Sequence, residues 1–310
     1  MNTLSCVVIF LAALRLAFSR PPHLSANVMN KPLFRCSMRK IRRTRILVAV
    51  FVVIWGCTSA IVQAQPKDCP ESRPSKDELT RIRNAGRWLA LYEIVCNRAN
   101  NALTNQGYSV DGSPCLTNQM NKGWSVGYGN WSNGSFEQKA RVYLNSAREV
   151  TDVKVEKSTL DQGWLYRFGR AASVSEQKAG DELGELAQEY KYGVIVANYP
   201  WADGVLTTYV FPDPENETAL GGDLRIEIDA NTGSILESER LHNEVIPMSQ
   251  PPGNAEASVS TAVQTCLPTE TDVFMVLRRE SSLPHTVVAE EWIYGIEPNG
   301  EVKVLRRREK

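Results

Sequence analysis

Asp229, Asn231 and Gly233 stand at alternate positions in "GGDLRIEIDANTGSILESER", the start of a pattern that could hold calcium. A helix-loop-helix calcium site needs oxygen donors at loop positions one, three and five, glycine at six and a bidentate Glu at twelve. Counted from Asp229, position five is Gly233, six is Ser234 and twelve is Arg240, so a cation stands where a carboxylate must reach the metal. The flanks also disagree. Leu224, Ile226 and Ile228 alternate with Arg225, Glu227 and Asp229, the period-two pattern of a strand with one buried face. Asp229 and Asn231 then read as turn residues bonding local backbone, with Gly233 at positive φ.

Other chemistry is sparse. Beyond residue 64 the histidines are His242 and His285, and neither sits in a motif. A nucleophilic triad needs one of them beside a carboxylate and an activated hydroxyl or thiol. Asp181, Glu182 and Glu185 could perform acid and base work, but such a run reads as a solvated helix face. Cys69, Cys96, Cys115 and Cys266 contain no CxxC pair, which argues against zinc. Their even number fits two disulfides, with three connectivities open. No catalytic, cofactor or metal residue is assigned, and no cofactor is expected.

"GWSVGYGNWSNGSF" sets Trp124, Tyr128 and Trp131 among glycines, Asn and Ser. Exposed, these aromatics could stack on sugar rings or peptide groups. The alternation of Trp124, Val126 and Tyr128 equally places them on one face of a strand before a turn at Asn133 and Gly134.

The first 64 residues hold nine Lys or Arg and no Asp or Glu. From Met38, a basic stretch precedes the apolar run Ile46 to Trp55 and then small residues ending at Ala64. That order is the one found in a secretory signal peptide, with cleavage expected after Ala64. An uncleaved membrane anchor is the alternative, and translation is expected to start at Met29 or Met38. Without those nine, 26 basic residues face 35 acidic ones, a charge near −9. Nucleic acid is therefore not an expected partner, and any membrane contact falls to the N-terminal segment. The exported part is expected in the periplasm or outside the cell, where disulfides persist.

These residues must be positioned by an α+β fold. Ser75 and Glu78 form a capping box ahead of a helix over about Lys76 to Asn100, striped by Leu79, Ile82, Trp88, Leu91, Tyr92 and Val95. From Phe136 to Val155 helix and strand are both open, with Val142, Leu144 and the "VTDVKVEK" alternation leaning towards strands, before an extended "GWLYRFGR". A second capping box, Ser173 with Glu176, precedes a second helix with Leu183, Leu186 and Ala187 inward. "YGVIVANY", "GVLTTYVF", "DLRIEID" and "SILESER" read as strands, which gives helices packed on antiparallel sheets with repeated hairpins. Residues 65–245 are expected as one α+β domain, 246–255 as a Pro-rich linker, and 256–310 as a small α+β subdomain. "IEPNGEV" repeats the turn logic of "IDANTGSI".

The segment Ser173 to Arg240, helix then strands ending in "GGDLRIEIDANTGSILESER", resembles PepSY-type modules and the nuclear-transport-factor-like immunity modules of exported bacterial proteins. The resemblance implies a small α+β binding or inhibitory module, with peptidase regulation or toxin neutralisation among the family activities; it carries over no functional residue. The expected function is non-catalytic binding of a protein or peptide partner. The alternatives are an envelope-associated structural or assembly protein held by its N-terminal segment, and a hydrolase without a recognisable motif.

Overall fold

Ser75 starts the first helix as its side chain accepts from the Glu78 amide at 3.2 Å while the Glu78 carboxylate accepts from the Ser75 amide at 2.8 Å. In the computed structural model, which describes residues 69, 72–110, 112–212, 218–248, 257–260, 265–279 and 283–309, this helix, α1, is Lys76–Asn105. The expected leader, its cleavage site and the start codon lie outside the described residues. Buried Ala99 and Leu103 extend the stripe past the anticipated stop. Gly107, at φ 81°, ends it: its amide reaches the Thr104 carbonyl and the Tyr108 amide reaches Leu103.

Four strands follow in chain order as an antiparallel meander: β1 Cys115–Met120, β2 Gly123–Ser132, β3 Ser135–Asn145 and β4 Val150–Asp161. Asn133 and Gly134, both at positive φ, turn β2 into β3. Trp124, Val126 and Tyr128 face α1 in a core shared with Leu89, Tyr92 and Val95. The sheet's other face is covered as well, because Leu116 and Phe136 join a second core.

The cover is α2, Trp164–Leu183, and here the structure departs from expectation. "GWLYRFGR" is helical, and Ser173 and Glu176 lie inside the helix rather than capping it. Leu165, Phe168, Ala172, Ser175, Ala179 and Leu183 form one buried stripe, a helical period that small residues disguise. The cap comes from Asp161, whose carboxylate accepts from the Gly163 amide at 2.7 Å and is paired with Arg141 at 2.8 Å. A Cβ on Gly169 would stand 2.3 Å from the Phe136 ring, so only glycine lets the helix lie this close to β3. A short α3, Glu185–Glu189, follows.

The second meander is β5 Tyr192–Ala197, β6 Val205–Pro212, β8 Leu224–Asp229 and β9 Ile235–Arg240, against α2. Leu224, Ile226 and Ile228 point inward as their alternation requires. Between β6 and β8, β7 Thr218–Gly221 leaves to pair with β10 Val245–Met248. The first residues of the expected linker are thus a strand, and 249–256 lie outside the described residues.

The third layer is β11 Ser258–Ser260, parallel to β12 His285–Val288, which continues into antiparallel β13 Trp292–Ile296 and β14 Val302–Arg307. Its helix, α4 Glu270–Arg278, begins at a capping box of Thr269 with Asp272. Phe274 and Met275 enter the core of α1, while Ile82 of α1 enters the core of the third sheet. Gln65–Lys310 is accordingly one compact unit. Helix followed by antiparallel meander occurs in each layer, and the fold is α+β. Among the described residues no helix is long and apolar enough to cross a membrane.

Candidate functional site

Both cysteine pairs are closed, Cys69 with Cys266 and Cys96 with Cys115. Two disulfides belong to an oxidising compartment. The second ties α1 to β1. The first joins the segment before α1 to the connection into α4, across 197 residues of sequence.

Beside that bridge lies a cleft of about 300 Å³. The start of α1 supplies Glu78, Arg81 and Ile82; the second sheet supplies Arg225 and Glu239, with Leu241 just beyond β9; the third supplies Trp292. Ile82, Leu241, Leu267 and Trp292 make it apolar within, and Arg73 and Arg81 stand exposed at its rim. Arg225 donates to Glu239 and, at 2.8 Å, to Glu270. Burial works against the Arg225 charge, but the two carboxylates outweigh it and hold the guanidinium above its ordinary range. The wall of the cleft is therefore a fixed, compensated set of charges. At the mouth, hydrogen bonds from Ser75 keep the Glu78 carboxyl below its usual range.

Behind the cleft is a buried polar cluster. His242 Nδ1 lies 2.5 Å from Asp223 and Nε2 lies 3.3 Å from Asp272. The second contact lacks the alignment of a hydrogen bond, since neither atom has such a partner. All three residues are buried. Burial disfavours an imidazolium, yet the two carboxylates overcome it and raise His242 well above its ordinary value. Asp272, although buried, is pulled below the carboxylate range by His242 and by its cap bond to Thr269. The trio fastens the second sheet to the first turn of α4.

His285 differs. Arg279 donates to Ser258 Oγ at 2.5 Å, which leaves the Ser258 hydroxyl proton for His285 Nδ1 at 2.8 Å. Nε2 then donates to Ser260 Oγ at 3.1 Å. That assignment makes the imidazole neutral, and burial pushes it down to about 4. Among the described residues, one histidine meets carboxylates and the other meets hydroxyls. Neither lines the cleft.

The aromatics read either as a binding surface or as one face of a strand divide. Trp124 at 3% and Tyr128 at 1% exposure are core residues, because α1 covers their face of β2; they are not a stacking surface. Trp131, past the buried part of β2, is half-buried with its ring 5.1 Å from that of Tyr166. Asp229 serves the turn: one carboxylate oxygen accepts from the Asn231 and Thr232 amides at 3.0 and 2.6 Å and from the Thr232 hydroxyl at 2.9 Å. Gly233 takes φ 75°. Among the described residues no group of His, Cys, Asp or Glu could hold a metal ion. Of the acidic run, Glu182 on α2 pairs with Lys178 at 2.8 Å, and Asp181 on α2 and Glu185 at the start of α3 are exposed.

Sequence reading missed Arg225, Glu270, Asp223 and Asp272. Only Asp272 left a signal, as the third residue after Thr269 in "TETD". Comparison with family models, curated proteins and solved structures finds no match to this chain.

Proposed function

We propose that residues 65–310 act as an exported, non-catalytic module that binds a protein or peptide partner, in the inhibitory or immunity-like manner implied by the resemblance over Ser173 to Arg240. The supporting observation is the cleft beside Cys69–Cys266. Its apolar interior and charged rim suit a side chain with a greasy stem and a polar end, and its walls are pre-formed by a disulfide and a partly buried ion-pair set. Pre-formed sites with few polar groups are the usual form of recognition pockets. The leader directs the chain to the periplasm or the exterior.

A photo-crosslinking amino acid at Arg81, in the full chain expressed in its host, tests the reading. A discrete protein adduct from position 81, absent from Lys122, is the expected outcome. Indistinguishable products from both positions would overturn it. One contact favours hydrolysis as a second reading, Ser258 Oγ at 2.8 Å from His285 Nδ1; fluorophosphonate labelling of Ser258 in the folded protein is its test.

A further inference from the structure

Two features of the sequence meet at one place. Trp131 is half-buried, packed at the edge of the second core, and Ser173 and Glu176 are not a helix cap. All three line a second concavity of about 340 Å³, which shares no lining residue with the cleft beside Cys69–Cys266. Asn130 and Ser132 form its other polar edges, and Gly169 and Ala172 leave its floor without a long side chain.

Glu176 sets the chemistry. Glu176 is exposed, and among the described residues it has neither an ion pair nor a hydrogen bond. The protein around it raises its carboxyl above the usual range through desolvation alone. The neighbouring cations are engaged elsewhere. Arg170 donates to the Ala230 and Asn231 carbonyls at 3.3 and 2.7 Å and lies over the Tyr166 ring at 5.4 Å. Lys139 sits 3.0 Å from Asn130 once that amide is oriented to satisfy both its atoms. An unpaired carboxylate on one side and an indole face on the other complement a cation on an apolar stem. Gly169 and Glu176 share one face of α2, two turns apart, so the concavity runs along the helix with its carboxylate at the C-terminal end.

We propose that this concavity is a second binding site, taking a lysine or arginine side chain of a peptide, with the stem against Trp131 and the charged head at Glu176. It stands independently of the cleft beside Cys69–Cys266.

The test uses the full chain labelled with 5-fluorotryptophan, the Trp131 resonance being identified by its loss in Trp131→Phe. Titration with acetyl-Gly-Lys-Gly-amide is expected to shift that resonance saturably, while the norleucine analogue does not. Glu176→Gln should weaken the lysine peptide about tenfold, the size of one partly desolvated charge contact, and Asp181→Asn should leave it unchanged. The proposal fails if the lysine peptide gives no response, if norleucine or a neutral disaccharide responds equally, or if Glu176→Gln binds as the parent does. Resonances elsewhere report folding, so a lost response with an intact spectrum is a binding result.

Discussion

His242 and Asp223 are joined by a 2.5 Å contact, both buried, with Asp272 on the other ring nitrogen. One cation thus serves two carboxylates, and Arg279 adds its charge near Asp272. Removing His242 leaves two buried like charges, so His242→Ala should cost about 3–5 kcal/mol, the penalty for orphaning a buried ion pair. Urea denaturation of parent and variant checks it, and a cost below about 1 kcal/mol would show the trio to be unpaired. Because the folded value of His242 lies well above 6.5, its contribution is complete below pH 6.5 and declines as pH rises toward that value.

His285 gives the opposite slope. It is held neutral down to about 4 in the fold and titrates near 6.5 when unfolded. The unfolded chain binds more protons in between, so stability should fall as pH drops from 6.5 to 4, by about 3 kcal/mol at most. The groups around His285 are Asp272, Arg279 and His242. Midpoints measured across that window should slope less in His285→Asn than in the parent, and equal slopes would contradict the neutral, serine-bonded imidazole.

The crossing of α1 and α4 depends on Gly86. A Cβ there would lie 2.5 Å from Val273 Cβ and 2.7 Å from the Glu270 carbonyl. Gly86→Ala, helpful in an isolated helix, should instead destabilise by about 1–3 kcal/mol through overpacking. Val273→Ala keeps its Cβ and leaves the Glu270 carbonyl in place, so Gly86→Ala with Val273→Ala should not recover that loss in the same melting experiment.

The two disulfides close loops of different length, 197 and 19 residues. On the chain-entropy account the longer is worth about 5 kcal/mol and the shorter about 3 kcal/mol. Replacing Cys69 and Cys266 by Ala should lower the melting temperature more than replacing Cys96 and Cys115. Thiol titration of native protein should find no free thiol at these four positions.

Legibility followed sequence distance. The Ser75 capping box, the alternation through β8 and the Asp229 to Gly233 turn involve neighbours in the chain, so residue types alone identified them. The period of α2 was harder to see, since Gly169, Ala171 and Ser175 occupy buried positions where large apolar residues normally mark the stripe. They are small because α2 is wedged between two sheets, a fact of packing rather than of local preference. Trp124 and Trp131 carry the same side chain seven positions apart on one strand, yet α1 covers the first and not the second.

From its residues alone, this chain specifies α+β layers, their principal turns, and four cysteines available for pairing. Which cysteines pair, which histidine is charged, and where a cleft opens were decided by contacts across more than one layer. Asp223 precedes β8, His242 follows β9 and Asp272 stands in the first turn of α4, and a charge takes its protonation state from what surrounds it in space. No pattern along the chain records that surrounding.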